Sequence, residues 1–188
     1  MKKITALCTA IFCLWSAPAS ASPYVSGLVG FGSVDNSNEI EYKTASVYSA
    51  VVGVKSGDYR IECAGGYQRQ SLDKEAGDPL IVIGEDASVR SVMFNAYRDF
   101  TIKDSSVIPY VMAGLGGAKV KVIDNGVTEI DENAFVWQIG AGIGIKASEQ
   151  CIIDFGCRYF NPSKVNDDEG GKISMSSSNI LVGVRYNL

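Results

Sequence analysis

The run Asn179-Ile-Leu-Val-Gly-Val-Arg-Tyr-Asn-Leu188 decides how the rest of the chain is read. With a period of two, Ile180, Val182, Val184, Tyr186 and Leu188 share one face, and Asn179, Leu181, Gly183, Arg185 and Asn187 share the other. That alternation marks a strand with one apolar and one mostly polar face. Left unpaired, such a strand would offer an apolar edge to other chains. Closing the sheet into a barrel, with the last strand against the first, removes the edge.

Working outward, the chain of 188 residues is long enough for one domain. Lys2 and Lys3, the apolar run Ile4 to Trp15 and the small residues Ala19-Ser20-Ala21 have the pattern of a signal peptide over residues 1–21, leaving a mature domain over 22–188. The apolar run is too short to cross a bilayer as a helix, and no later segment has the length and apolarity for one. Removing Lys2 and Lys3 leaves 15 basic against 21 acidic side chains, a net charge of −6. An acidic chain without basic runs argues against nucleic acid as a partner. Three cysteines remain, Cys63, Cys151 and Cys157, an odd set without zinc-finger spacing. The chain holds no histidine, which removes serine-protease-type triads and the common zinc sites.

Seven further strands precede the terminal one. They are expected over about Pro23–Val34, Ser46–Lys55, Tyr59–Gln70, Ala87–Phe100, Ile108–Val122, Phe135–Lys146 and Cys151–Phe160. The connections alternate in length. Asp35–Thr44, Ser71–Glu85, Asp124–Asn133 and Asn161–Lys172 read as long polar loops, while Ser56-Gly57-Asp58, Lys103–Ser106 and Ser148–Gln150 read as short turns. An even number of strands of about 9–11 residues or more, with short turns at one end and long loops at the other, is the pattern of an outer-membrane barrel.

Alternation alone does not say which face is inside. A lipocalin-like soluble barrel would turn the apolar face inward around a ligand. The glycines decide: Gly140, Gly142 and Gly144 share a face with Gln138 and Lys146, opposite Trp137 and Ile139, Ile143 and Ile145. A narrow lumen needs small residues among its charged ones, whereas a water-facing surface only loses strand stability to them. The bulky apolar face is therefore expected to meet lipid. Tyr24, Tyr59, Tyr110, Tyr159 and Tyr186, near strand ends, are expected to form aromatic girdles.

Three stretches carry a family likeness. Asn95-Ala-Tyr-Arg-Asp-Phe100, Pro109-Tyr-Val-Met-Ala-Gly-Leu-Gly116 and the terminal Gly183-Val-Arg-Tyr186 resemble strand-four, strand-five and terminal-strand motifs of the small eight-stranded outer-membrane barrels, the OmpA-like and opacity-protein group. Leu188 departs from that group, which usually ends in phenylalanine. The resemblance implies an all-β, eight-stranded antiparallel transmembrane barrel with up-and-down meander topology in the outer membrane of a Gram-negative bacterium. It also implies a surface protein that contacts host or matrix molecules through its loops, or one that stabilises the envelope. Expected partners are outer-membrane lipid, periplasmic chaperones and the barrel-assembly machinery.

The remaining motifs read blandly. Gly140-Ala-Gly-Ile-Gly144 has strand pattern on both sides, where a phosphate loop needs a following helix. Asn166-Asp-Asp-Glu-Gly-Gly171 lacks EF-hand spacing and reads as a solvated loop tip. Cys151 and Cys157 are six residues apart on one strand, about 20 Å, too far for a disulfide. Arg60, Glu62, Asp99, Lys146, Asp154, Arg158 and Arg185 fall on the inward face, most of them near the short-turn end. They are expected to neutralise one another as a plug, because unpaired charges in a narrow lumen are costly. No catalytic, cofactor-binding or metal-ligating residue is nominated. The expected role is structural or adhesin-like, without catalysis. A small pore and a soluble ligand-binding barrel are the alternatives.

Overall fold

The computed structural model describes residues 21–35, 43–71, 86–124, 127–163, 165–166, 172–173 and 176–188. Residues 1–20 of the expected signal peptide 1–21, the first two polar connections over 36–42 and 72–85, and the acidic tip 167–171 lie outside the described residues. Every regular element among those described is a strand: β1 Ser22–Asp35, β2 Lys43–Ser56, β3 Tyr59–Ser71, β4 Asp86–Asp99, β5 Val107–Asp124, β6 Val127–Lys146, β7 Cys151–Pro162, β8 Val165–Asn166, β9 Lys172–Ile173 and β10 Ser176–Asn187. The strands β1 to β7 and β10 close into one antiparallel barrel, and β8 and β9, between β7 and β10 in the chain, form a separate two-stranded ribbon.

Closure is by the terminal strand, which pairs with β7 on one side and with β1 on the other, from Tyr24↔Asn187 to Asp35↔Ser176. The size of the barrel can be read from the pairing. A row that leaves β1 at Tyr24 runs through Gly53, Glu62, Asn95, Gly114, Gln138, Phe160 and Ser177 and returns to β1 at Val34, ten residues further along. A stagger of ten across eight strands tilts them steeply, within the roughly 35–45° typical of barrels, and leaves an interior that side chains fill.

At the short-turn end, β2 and β3 are joined by Gly57-Asp58, with Gly57 at a φ of 58°. Glycine at the first central position with positive φ suits the right-handed twist of a two-residue hairpin. The turn before β7 is held by the Cys151 amide, which donates to Ser148 Oγ at 3.0 Å.

The outward face is apolar as the alternation requires. Ile180 is 72% exposed, and Val29, Ile61, Phe94, Leu115, Ile139 and Val184 are exposed with it. On a soluble protein such a belt would be an aggregation surface; around a closed barrel it is the lipid contact. Tyr48 and Tyr67, paired across β2 and β3, and Trp137 and Tyr159, with ring centroids 5.7 Å apart, form the upper aromatic ring. At the short-turn end Tyr59, Phe100 and Tyr186 form the lower one.

Two sequence expectations fail here. Tyr24 and Tyr110 are not girdle residues: both point inward and are buried, Tyr24 at 1% exposure. Parity is the reason, since each stands next to a lipid-facing residue, Val25 or Val111, and so falls on the lumen side. The supposed long loop Asp124–Asn133 is also wrong. Strand β5 runs to Asp124, β6 starts at Val127, and only residues 125–126 separate them. A register shift between Val122 and Ile123 lets this hairpin extend, as a bulge allows without breaking the pairing. Similarly, the span Asn161–Lys172 contributes the end of β7 and the β8 strand.

Candidate functional site

The inward residues are the natural place to look for chemistry, and they sort into two storeys. The lower storey lies at the short-turn end and is built round Asp99 at the end of β4. Asp99 is fully buried. Arg60 Nε donates to its Oδ1 at 2.9 Å, Lys55 Nζ lies 2.9 Å from its Oδ2, and Arg185 Nη1 approaches Oδ2 at 3.9 Å. Arg60 Nη1 also donates to Glu62 Oε1 at 3.1 Å, and Tyr24 Oη donates to the same oxygen at 2.6 Å. Arg185 holds Asp154 through two bonds, Nη2 to Oδ1 at 2.9 Å and Nε to Oδ2 at 3.1 Å. That forked geometry is what the planar guanidinium matches best in a carboxylate.

Aromatic rings line the same storey. The Arg60 guanidinium lies 4.1 Å from the Tyr97 ring centroid and 5.1 Å from that of Tyr110. Tyr97 and Tyr110 meet edge to face at 5.6 Å, and Arg185 lies 5.6 Å from the Tyr24 ring. Lumenal glycines make the room: a Cβ on Gly53 would stand 2.5 Å from the Tyr24 ring, and one on Gly142 or Gly156 about as close to the Tyr110 hydroxyl.

Six charged groups therefore close on one another: Lys55, Arg60 and Arg185 against Glu62, Asp99 and Asp154. The expected neutral plug is present, with three changes in membership: Lys146 and Arg158 join none of these pairs, and Lys55 is added. Lys146 is exposed at the turn end and makes none of these contacts. Lys55, which the sequence did not single out, takes its place with its side chain 26% exposed. It shares inward parity with Gly53 and Val51, but only the cross-barrel register shows that it meets Asp99.

The upper storey is different. Val51, Ala64, Met93, Ala118, Val136 and Phe160, one from each of β2 to β7, pack into a buried apolar cluster, with Leu28 and Val89 against it. The inner face was expected to be mostly polar; its outer half is a hydrophobic core. Between the storeys, Gln138 Nε2 donates to Asn95 Oδ1, and Arg158 lies in register between Gly140 and Asn179. Arg158 Nε, Gln138 Oε1 and Asn179 Oδ1 are buried without a protein partner.

Each lower carboxylate is held by a cation. The thiols of Cys63, Cys151 and Cys157 are free and on the lipid-facing side. As small hydrophobes they suit that surface.

Solved outer-membrane proteins share this eight-stranded fold. Neisserial surface protein A shares the fold at a TM-score of 0.70 and 21% identity, over 89% of this chain and 99% of that one. Ail, the attachment invasion locus protein of Yersinia pestis, matches at 0.57 and 14% identity, covering 89% and 97%. The N-terminal barrel domain of Pseudomonas aeruginosa OprF matches at 0.52 and 16% identity, covering 88% and 97%. A search of curated protein sequences returns no match. The family model described as the outer membrane protein beta-barrel domain covers residues 4–187, and the chain belongs to that family, in the outer membrane of a Gram-negative cell.

Proposed function

We propose that this barrel is a non-catalytic surface protein, exported and cut after Ala21, whose outer end contacts molecules outside the cell. The observation that carries the reading is the β5–β6 hairpin. Trp137 stands in the upper aromatic ring, and β6 begins ten residues further out at Val127. That is about 30 Å of strand, so the hairpin rises well above the lipid headgroups. A packed lumen beneath it supports contact in place of transport. Ail has been solved with the heparin analogue sucrose octasulfate, which makes sulfated polysaccharide the first ligand to try here.

The test uses cells displaying the protein, laid on immobilised heparin and on extracellular-matrix protein. Cells with the intact hairpin should adhere to at least one surface, and a chain in which residues 122–130 are replaced by Asn-Gly should fold, remain heat-modifiable on gels and lose adhesion. Equal adhesion by cells lacking the protein would overturn the reading. So would steady ion conduction by the purified barrel, which would favour the pore.

A further inference from the structure

Although the mature chain is acidic, four of its basic residues stand together on the outer wall. Arg69 on β3, Arg90 on β4, and Lys119 and Lys121 on β5 are all exposed. The register makes them one block: Arg90 pairs with Lys119, and Arg69 and Lys121 pair with the two sides of Ser88. Arg69 and Lys119 already engage a neighbouring group of the protein. Lys121 pairs in register with Asp131, one strand further on.

The depth of the block is set by its neighbours. Arg90 is the register partner of Tyr67 in the upper aromatic ring. Two residues further in along the same face, Val92 on β4 is a lipid-facing residue, and Leu115 lies below Lys119 on β5. The four cations therefore begin where the apolar belt ends, at the level of lipid headgroups. At this level β2, β1, β10 and β7 carry the neutral Ser46, Ser33, Ser178 and Asn161, and β6 carries Asn133 and the acidic Asp131. The basic charge is thus confined to β3, β4 and β5 at one depth.

We propose that this block binds the headgroup phosphates of an outer-leaflet glycolipid, with its acyl chains lying on Val92, Phe94 and Leu115 below. Guanidinium groups bind phosphate oxygens through paired, charge-assisted hydrogen bonds, and lysines add point charge. The acyl surface directly beneath separates a lipid from a soluble anion, because both contacts are made at once.

Native mass spectrometry of the detergent-solubilised barrel tests this, with bisphosphorylated lipid A, its dephosphorylated form and inorganic phosphate as probes. Wild type should retain the bisphosphorylated lipid about tenfold better than the dephosphorylated one, and inorganic phosphate at the same concentration should not displace it. R90Q/K121Q should lose that preference while keeping its heat-modifiable gel mobility, and R90K/K121R should keep it. Equal retention of the two lipids by wild type would overturn the proposal, as would an unchanged preference in folded R90Q/K121Q. Displacement by heparin with no preference between the lipids would assign the block to polysaccharide and overturn it equally. Adhesion through the hairpin tip can fail or succeed independently of these results.

Discussion

The two storeys of the lumen are made from the same alternation of residues on the same strands, yet they are filled by opposite chemistries. Around Asp99 the filling is ionic and aromatic: its carboxylate is held by cations from β2, β3 and β10, while Arg60 Nη2 and Arg185 Nη1 are buried without a hydrogen-bond partner. Around Met93 and Phe160 the filling is apolar and needs only volume. The lower storey is therefore specified by pairing and the upper by packing. A network that loses one member leaves charges unpaired, whereas a packed core loses the burial of the removed group plus the cost of the cavity it leaves.

The largest expected effect is in the lower storey. Asp99→Ala would leave Lys55, Arg60 and Arg185 facing one another with two carboxylates between three cations, at a cost of about 3–5 kcal/mol. Urea unfolding in lipid vesicles, followed by tryptophan fluorescence, should show the midpoint falling accordingly. An unchanged midpoint would mean that water within the lumen screens these charges.

Next comes the upper storey. Met93→Ala should cost about 2–3 kcal/mol in the same assay, the lower part of the range for such truncations, because the partly buried Leu28 and Val89 can lean into the space. If Met93→Ala proved costlier than Asp99→Ala, packing and not pairing would dominate the whole lumen.

The smallest expected signal is a zero. An apolar storey above an ionic one gives no continuous polar path, so the wild-type protein in planar bilayers should show no steady current steps. Persistent ion-selective steps would break the comparison outright and show that the upper storey opens.

The barrel itself was legible because eight segments alternate between an apolar and a mostly polar face. The lipid-facing set, such as Ile180, Val182 and Val184, follows from local period alone. The extended β5–β6 hairpin was hidden by its composition: Glu129, Asp131, Glu132 and Asn133 look like loop, though Asn125-Gly126 is a strong two-residue hairpin signal. Tyr24 and Tyr110 were misplaced by nearness to a strand end, when parity already put them inside. The charged members of the lower storey could be named from parity, but Lys55 could not be preferred to Lys146. The choice depends on stagger, which joins residues on strands far apart in sequence. The apolar storey left even less trace. Its six core members come one from each of β2 to β7, and only closure brings Val51 and Phe160 to one place.

The seam between β1 and β10 carries a consequence for the order of events during folding. Each other pair of adjacent barrel strands is consecutive along the chain or, for β7 and β10, separated only by a short ribbon. The seam instead joins Tyr24 to Asn187, so its closure costs the most chain entropy. Hairpins can form early, and the open sheet they make has two bare edges, β1 and β10. Until those edges meet, neither lumenal storey is enclosed, so the ionic network and the apolar core consolidate together with ring closure. The barrel then gains its stability late and all at once, and the terminal strand acts as the latch.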